Sequence, residues 1–388
     1  MSGTHGTATP DTTAVPHRRA GWLDPIAGTL FIQCEASEAE ETADLVEQRL
    51  GAGLVITGRD ALNAARLLRE RGFDAPLLCD AARYAGKNRL RATASFSRQW
   101  LALQRDLGLP VLTDSGYVGE GDVDGLRTIV RQAQQWGDGV IACLPLHQSW
   151  LRNSRHLQVL QAEIRDSGVV VALVLEHQAD PFGVQAVLRG FLTLLATGSP
   201  VLLLRSDVSA VGALCFGAVA AAAGTRSKLR HLYPVLDGGP PRPPLTSVFV
   251  KHCLSYVSVD KLATAVQLTP DQVEQWECRC DTCNSRTVDR FATMLDPSEQ
   301  RTEAFRHSVE VLLRVHEKLR ISRLTPQQVR KTWVARCSGA GFFHEEIRSN
   351  VGVGWNIPAA LKAWRIIGEE FVERDVTPRF PHEEAPGR

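Results

Sequence analysis

Val169-Val170-Val171-Ala172-Leu173-Val174-Leu175 is an apolar run with no polar interruption, and its reading decides the fold. A half-exposed strand alternates apolar and polar side chains, whereas an unbroken run suits a strand buried on both faces, as in a parallel sheet covered by helices. Its neighbours agree with this. Leu151–Ser167 carries helical periodicity and stops at Gly168, a residue suited to a left-handed cap. Phe182–Ala196 is helical again and leads past Gly198 into the apolar run Val201–Leu204. The alternation extends in both directions. Further strand-like runs are Thr29–Gln33, Leu54–Thr57, Pro76–Cys79, Pro110–Thr113, Val140–Leu144, Ala218–Ala223 and Val248–Val250. Helical patterns at Glu38–Leu50, Ala61–Arg71, Ser97–Leu107 and Val123–Trp136 separate several of them. Repeated β/α units over residues 28–257 predict an α/β fold, a (β/α)8 barrel of the TIM type. A doubly wound sheet is the alternative, weakened because neither glycine-rich phosphate turn occurs.

The chain has 388 residues, 44% apolar and 22% charged, with a net charge of +1. That balance is ordinary for a globular protein and gives no bulk attraction for a polyanion, so any basic surface is local. One such stretch is Arg301 to Arg336, where nine Lys or Arg stand against three Glu on a helical pattern that restarts at Thr325-Pro326. Cys34, Cys79, Cys143, Cys215, Cys253 and Cys337 are scattered, mostly inside apolar runs, which suits a reducing compartment better than a disulfide framework. No apolar run approaches the ~20 residues that span a bilayer, so a cytoplasmic protein without a membrane partner is expected. Residues 1–20 read as a disordered tail, 237–244 as an exposed Pro/Gly linker, 258–345 as a zinc-binding helical subdomain, 346–376 as a C-terminal helix and 377–388 as a polar tail.

The subdomain takes its metal from Cys278-Arg279-Cys280-Asp281-Thr282-Cys283. Thiolates at C-x-C-x-x-C spacing are too close to pair without strain, but they wrap one face of a tetrahedral Zn²⁺ and leave one ligand to find. Downstream, Arg306 to His316 reads as a helix carrying His307 near its start and His316 about two and a half turns later. His307 is the expected fourth ligand and His316 the substitute. A closed Cys3His site is structural, so the zinc itself implies no reaction.

In a β/α barrel, chemistry belongs at the C-terminal ends of the strands. Those ends carry Asp80, Asp114, Glu176-His177 and Asp207, and the strand near Ala220 runs into the cationic Thr225-Arg226-Ser227-Lys228. Each Asp alone reads equally well as a helix N-cap. Four carboxylates on one rim, beside a cationic loop, would make a cradle for a nucleotide or nucleic acid.

Thr113-Asp114-Ser115-Gly116 on a barrel strand, followed by C-x-C-x-x-C and a histidine 24 residues after Cys283, resembles the tRNA-guanine transglycosylases. The resemblance covers roughly residues 110 to 310, and the zinc pattern is its specific part. It implies a barrel with a structural zinc, acting on tRNA or another nucleic acid. The reaction it implies exchanges guanine for a 7-deazaguanine base through a covalent ribose–aspartate intermediate, and a homo- or heterodimer is compatible with it. Asp114 would be the base-recognising, proton-handling aspartate, with Ser115 and Gly116 shaping the same pocket. Glu176 would replace a base-binding glutamine, Arg226 would belong to the turn after the nucleophile strand, and Asp80 would lie at the same rim. The sequence departs from the family at Tyr117-Val118-Gly119, at Leu144-Pro145 and, above all, at Ala220–Gly224, where the nucleophilic aspartate is expected. A methyl group cannot attack an anomeric carbon. Either Asp207 or Asp80 takes over, or the chain is a non-catalytic RNA-binding or partner subunit; a barrel acting on a small nucleoside is the third possibility.

Overall fold

The computed structural model describes residues 21–235, 245–320 and 324–374. The expected tails at 1–20 and 377–388 and the linker at 237–244 lie outside the described residues. Eight parallel strands form one sheet: β1 (Thr29–Glu35), β2 (Ala52–Thr57), β3 (Leu77–Asp80), β4 (Val111–Leu112), β5 (Val140–His147), β6 (Val170–Glu176), β7 (Val201–Ser206) and β8 (Ala220–Gly224). Their order is β3-β2-β1-β8-β7-β6-β5-β4, so the first and last strands pair with each other. Only the seam between β3 and the two-residue β4 lacks a hydrogen-bonded ladder. Sequential order around a nearly closed ring is the (β/α)8 barrel, and it excludes the doubly wound alternative.

The outer helices are α1 (Ala39–Glu47), α2 (Ala61–Glu70), α3 (Arg98–Asp106), α4 (Val123–Trp136), α5 (Ser149–Arg152), α6 (Ser154–Ser167), α7 (Gln185–Leu195) and α8 (Ser209–Cys215). The single helix expected over Leu151–Ser167 is interrupted. Asn153 turns extended there, and its side chain accepts the amides of Arg155 and His156, which starts α6 afresh.

Side chains facing inward, among them Phe31, Val55, Leu78, Leu112, Ile141 and Leu202, form a core of their own inside the ring. A 3-10 turn at Gly21–Ile26 closes the lower end with Leu23 and Ile26, and Tyr84 and Leu232 fill the upper one. Beside Phe31, β8 offers only the methyl groups of Ala220 and Ala222 on this face. On the other side, a Cβ added to Gly53 would stand 2.6 Å from the Phe31 ring. Small residues on both flanking strands therefore make room for Phe31 in a close-packed interior.

After β8 come the hairpin β9 (Ser247–Val250) and β10 (Ser255–Ser258), then α9 (Val259–Leu268), α10 (Val273–Trp276), α11 (Pro297–Arg320), α12 (Pro326–Val351) and α13 (Ala359–Phe371). Helix α11 runs beside α1. Near its start, Arg306 donates to Glu41 in the first turn of α1 (2.6 Å). At its end, Arg320 lies so close to Gly51 that a Cβ there would overlap the guanidinium. Helix α11 thus fills the outer-ring place that follows β8, and the hairpin and cysteine segment are inserted before it. Helix α12 continues through residue 345 to Val351, so the C-terminal helix begins at Ala359 and not at 346. It docks through Trp364, whose ring packs among Phe182, Phe216 and Trp333 and whose Nε1–H donates to Ser209 Oγ (3.0 Å).

Candidate metal centre and barrel mouth

Cys278, Cys280, Cys283 and His307 come together with their ligand atoms within 4.8 Å of one another. His307 Nδ1 lies 3.4 Å from Cys280 Sγ and 3.2 Å from Cys283 Sγ. The corresponding S···N edge of a tetrahedron around zinc is about 3.6 Å. His307 Nε2 faces the Phe249 carbonyl at 2.9 Å, which fixes the tautomer that leaves Nδ1 free to bind. The donor set and its orientation therefore fit a zinc-type ion. His316 is not the fourth ligand. It hydrogen-bonds the Gly28 backbone, and burial, followed by Arg320, pushes its pKa down to about 4.

The turn that carries the thiolates is held from α11. Glu310 stands one helical turn beyond His307, on the same face, and is buried. Its carboxylate accepts the Asp281 amide (2.8 and 3.0 Å) and lies near the Thr282 amide (3.4 Å). Arg49 (3.1 Å) and Arg314 (2.6 Å) neutralise it. Asn284 and Ser285 take left-handed conformations as the chain leaves the knuckle. Glu310 was missed in the sequence, although its spacing of three from His307 was visible there.

At the mouth of the barrel the expected acids are present, and arginines already hold them. Asp80 is buried. One of its oxygens accepts from Gln33 Nε2 (3.0 Å) and Tyr84 OH (2.7 Å), with Arg205 Nε 3.6 Å away. The other accepts the Ala82 amide at 2.8 Å. Arg205 sits at φ +48°, where the β7–β8 register shifts, and this bulge points its guanidinium over the Tyr84 ring. Asp114, also buried, pairs with Arg83 and accepts the Ser97 amide at 3.0 Å. Glu176 pairs with Arg89 and accepts the Tyr117 hydroxyl, while Arg89 lies 3.6 Å over the Tyr117 ring. Burial and then the bond to Glu176 raise the Tyr117 pKa, so the phenol stays protonated and donates.

Ser115 is buried, its Oγ 2.8 Å from Thr113 Oγ1, which in turn accepts the Cys143 amide. Gly116 is required by close approach, since a Cβ would stand 2.1 Å from the Arg91 carbonyl oxygen. Arg226 is half-exposed and donates to Glu38 (2.6 Å), with Glu35 at 3.7 Å. Asp207 shares none of the arginines that hold the other three acids among the described residues. It accepts the Ser209 amide (3.1 Å) in the turn before α8, a local side-chain-to-backbone bond typical of Asp. Burial raises its pKa, and burial followed by the charge of Asp207 raises that of Asp180. No hydrogen bond or ion pair links Asp207 to Asp114 among the described residues.

The basic stretch Arg301 to Arg336 is also partly spoken for. Arg330 is buried and donates to the Val372 carbonyl, and Arg314 is tied to Asp281 and Glu310. Exposed cations occur instead on the loops around the mouth. Arg59, Lys87 and Arg91 have no ion pair among the described residues. No helix among the described residues is long and apolar enough to cross a membrane. The sequence matches no protein-family model and no curated protein.

Proposed function

We propose that this chain is a transglycosylase-like barrel that binds nucleic acid across its mouth without exchanging a base. One observation carries the reading: Asp80, Asp114 and Glu176 are each engaged by an arginine, Arg59, Lys87 and Arg91 on the loops around them have no ion pair among the described residues, and β8 offers only four alanines and a glycine. An acid matched in this way is not a free nucleophile, and the outward cations supply the sequence-independent attraction of a phosphate backbone. The metal knuckle braces the fold. A small nucleoside inside the barrel would have to displace Tyr84 and Leu232.

The test combines binding with chemistry. Binding to tRNA and to single-stranded DNA is expected to weaken with salt. Lys87→Glu and Arg91→Glu each lower the slope of log affinity against log salt by about 1. Labelled guanine is expected to enter neither polymer, and no adduct should survive denaturation. Incorporation of label, or no binding at low salt, overturns the proposal.

A second reading, purine base exchange using Asp114 and Asp207, has one observation in its favour. Burial raises the pKa of the Asp207 carboxyl, and of Asp180 with it, which is the direction a general acid requires. It requires label exchange that Asp207→Asn abolishes.

A further inference from the structure

A hollow of about 490 Å³ opens beside the cysteine knuckle, with Cys278, Cys280 and His307 in its lining. Four elements bring cations to it: Lys251 from the β9–β10 turn, Arg279 from the knuckle, Lys318 from α11 and Arg336 from α12. A second hollow adjoins the first and shares Lys251, His252, Lys318 and Arg336 with it. We propose that this cavity is a binding site for a compact phosphate-bearing ligand, such as pyrophosphate or the phosphorylated end of a small molecule.

The cations there are unlike those in the rest of the subdomain. Arg49, Arg290 and Arg314 each meet a carboxylate. Lys251, Arg279 and Lys318 make no ion pair or side-chain hydrogen bond among the described residues, and Arg336 reaches only the Val315 carbonyl at 3.5 Å. Glu274 and Glu277 also line the hollow, yet neither pairs with them. Three thiolates on a divalent ion would leave one net negative charge; with Glu274 and Glu277 counted as well, the four cations still keep the lining positive. Burial, then Lys318 and Arg336, destabilise the Lys251 ammonium. Like charges gathered without a counter-charge repel, and a bound anion is what offsets that cost.

The surroundings favour a small ligand. Trp276, Val311 and Val315 supply apolar wall, which keeps the effective dielectric low and strengthens each charge-assisted bond. The volume lies within the range of small-molecule sites, about 300–1,000 Å³. Lysines act as point charges and Arg336 as a planar fork, a combination suited to phosphate oxygens. The site lies away from the mouth and does not depend on the reading given above.

The experiment is calorimetric titration of the zinc-loaded full chain with pyrophosphate and with orthophosphate, checking metal content before and after. Saturable binding is expected, tighter for pyrophosphate. Lys251→Ala and Lys318→Ala should each weaken it about tenfold or more. Both side chains belong to exposed residues, so the fold should tolerate their loss. Lys87→Glu and Arg91→Glu at the mouth should leave the titration unchanged, which separates the two proposals. A single-stranded oligonucleotide that displaces pyrophosphate keeps the site and assigns its phosphate to a polymer; one that does not keeps the site for a small ligand. Absence of saturable binding by either anion, or binding unaltered when Lys251→Ala and Lys318→Ala are combined, overturns the proposal.

Discussion

Replacing Glu310 by alanine removes the buried carboxylate that joins the cysteine knuckle to Arg49 and Arg314. In the intact protein this side chain, 4% exposed, accepts the Asp281 amide at 2.8 Å and meets Arg49 at 3.1 Å and Arg314 at 2.6 Å. Alanine leaves the Asp281 and Thr282 amides without their acceptor. Both arginines retain Asp281, at 3.3 and 2.9 Å, but its side chain is 75% exposed and screened by water. Removing one partner of a buried ion pair costs about 3–5 kcal/mol, and the surviving contacts to Asp281 place Glu310→Ala toward the lower end. Because the amides belong to the turn between Cys280 and Cys283, the loss also reaches the metal. A group that orients ligands in this way is worth about 10–100-fold in affinity. Competition with a chromophoric chelator measures that factor, and urea unfolding of the metal-loaded protein measures the stability. Glu310→Gln keeps an acceptor oxygen without the charge and should fall between the two. Metal retention and unfolding midpoint both unchanged in Glu310→Ala would refute the role given to this residue.

Two further outcomes follow from buried groups. Asp80→Ala should destabilise the barrel by about 3–5 kcal/mol, because it leaves the buried Arg205 guanidinium without its counter-ion and Gln33 and Tyr84 without their acceptor; an unchanged urea midpoint would contradict this. His231 and His316 are held at about 4 in the folded chain, in each case chiefly by burial, against about 6.5 when unfolded. Folded pKa values below the unfolded ones mean that this contribution is complete above pH 6.5 and is lost as pH falls from 6.5 to 4, on the order of 3 kcal/mol for each histidine. Comparing His316→Gln with the parent chain over that window isolates one of them, since metal loss affects both proteins alike. An identical slope of stability against pH would count against the assignment.

The barrel was legible because its signal is local. Val169–Leu175 and Val201–Leu204 are apolar without interruption, and the glycines at 51, 72, 108, 168 and 198 that end the helical patterns all take positive φ. The metal ligands were legible for the same reason: three lie within six residues and the fourth on the next long helix. Asn153 was overlooked because a capping side chain inside an apolar periodicity does not disturb the period. The state of the mouth was not legible at all. Arg83 finds Asp114 from 31 residues away and Arg89 finds Glu176 from 87, and nothing in either loop announces the pairing. The local bond of Asp207 to the Ser209 amide was not legible either, because a strand-end aspartate that holds a turn and one that faces a substrate share the same sequence context.

Helix α11 shows what a metal held by Cys278, Cys280, Cys283 and His307 would do for this fold. It occupies the outer-ring place after β8, yet the chain reaches it only through a hairpin, two short helices and the cysteine knuckle, and outside the hairpin pairing that insert has little regular sheet to align it. His307 and Glu310 on one face of α11 meet the insert from the side, His307 beside the cysteines with which it could hold a metal and Glu310 through backbone amides. Arg49, just past α1, ties the same carboxylate to the first β/α unit, and Arg306 pairs with Glu41 one turn into α1. The two ends of the barrel's circuit, β1 with α1 and β8 with α11, are therefore fastened around the metal knuckle as well as by the β1–β8 ladder. This closure is independent of what lies in the mouth. A barrel fastened in this way keeps its ring whether or not β8 carries a nucleophile, which is how a run of alanines at Ala220–Ala223 can coexist with a complete fold and an intact metal site.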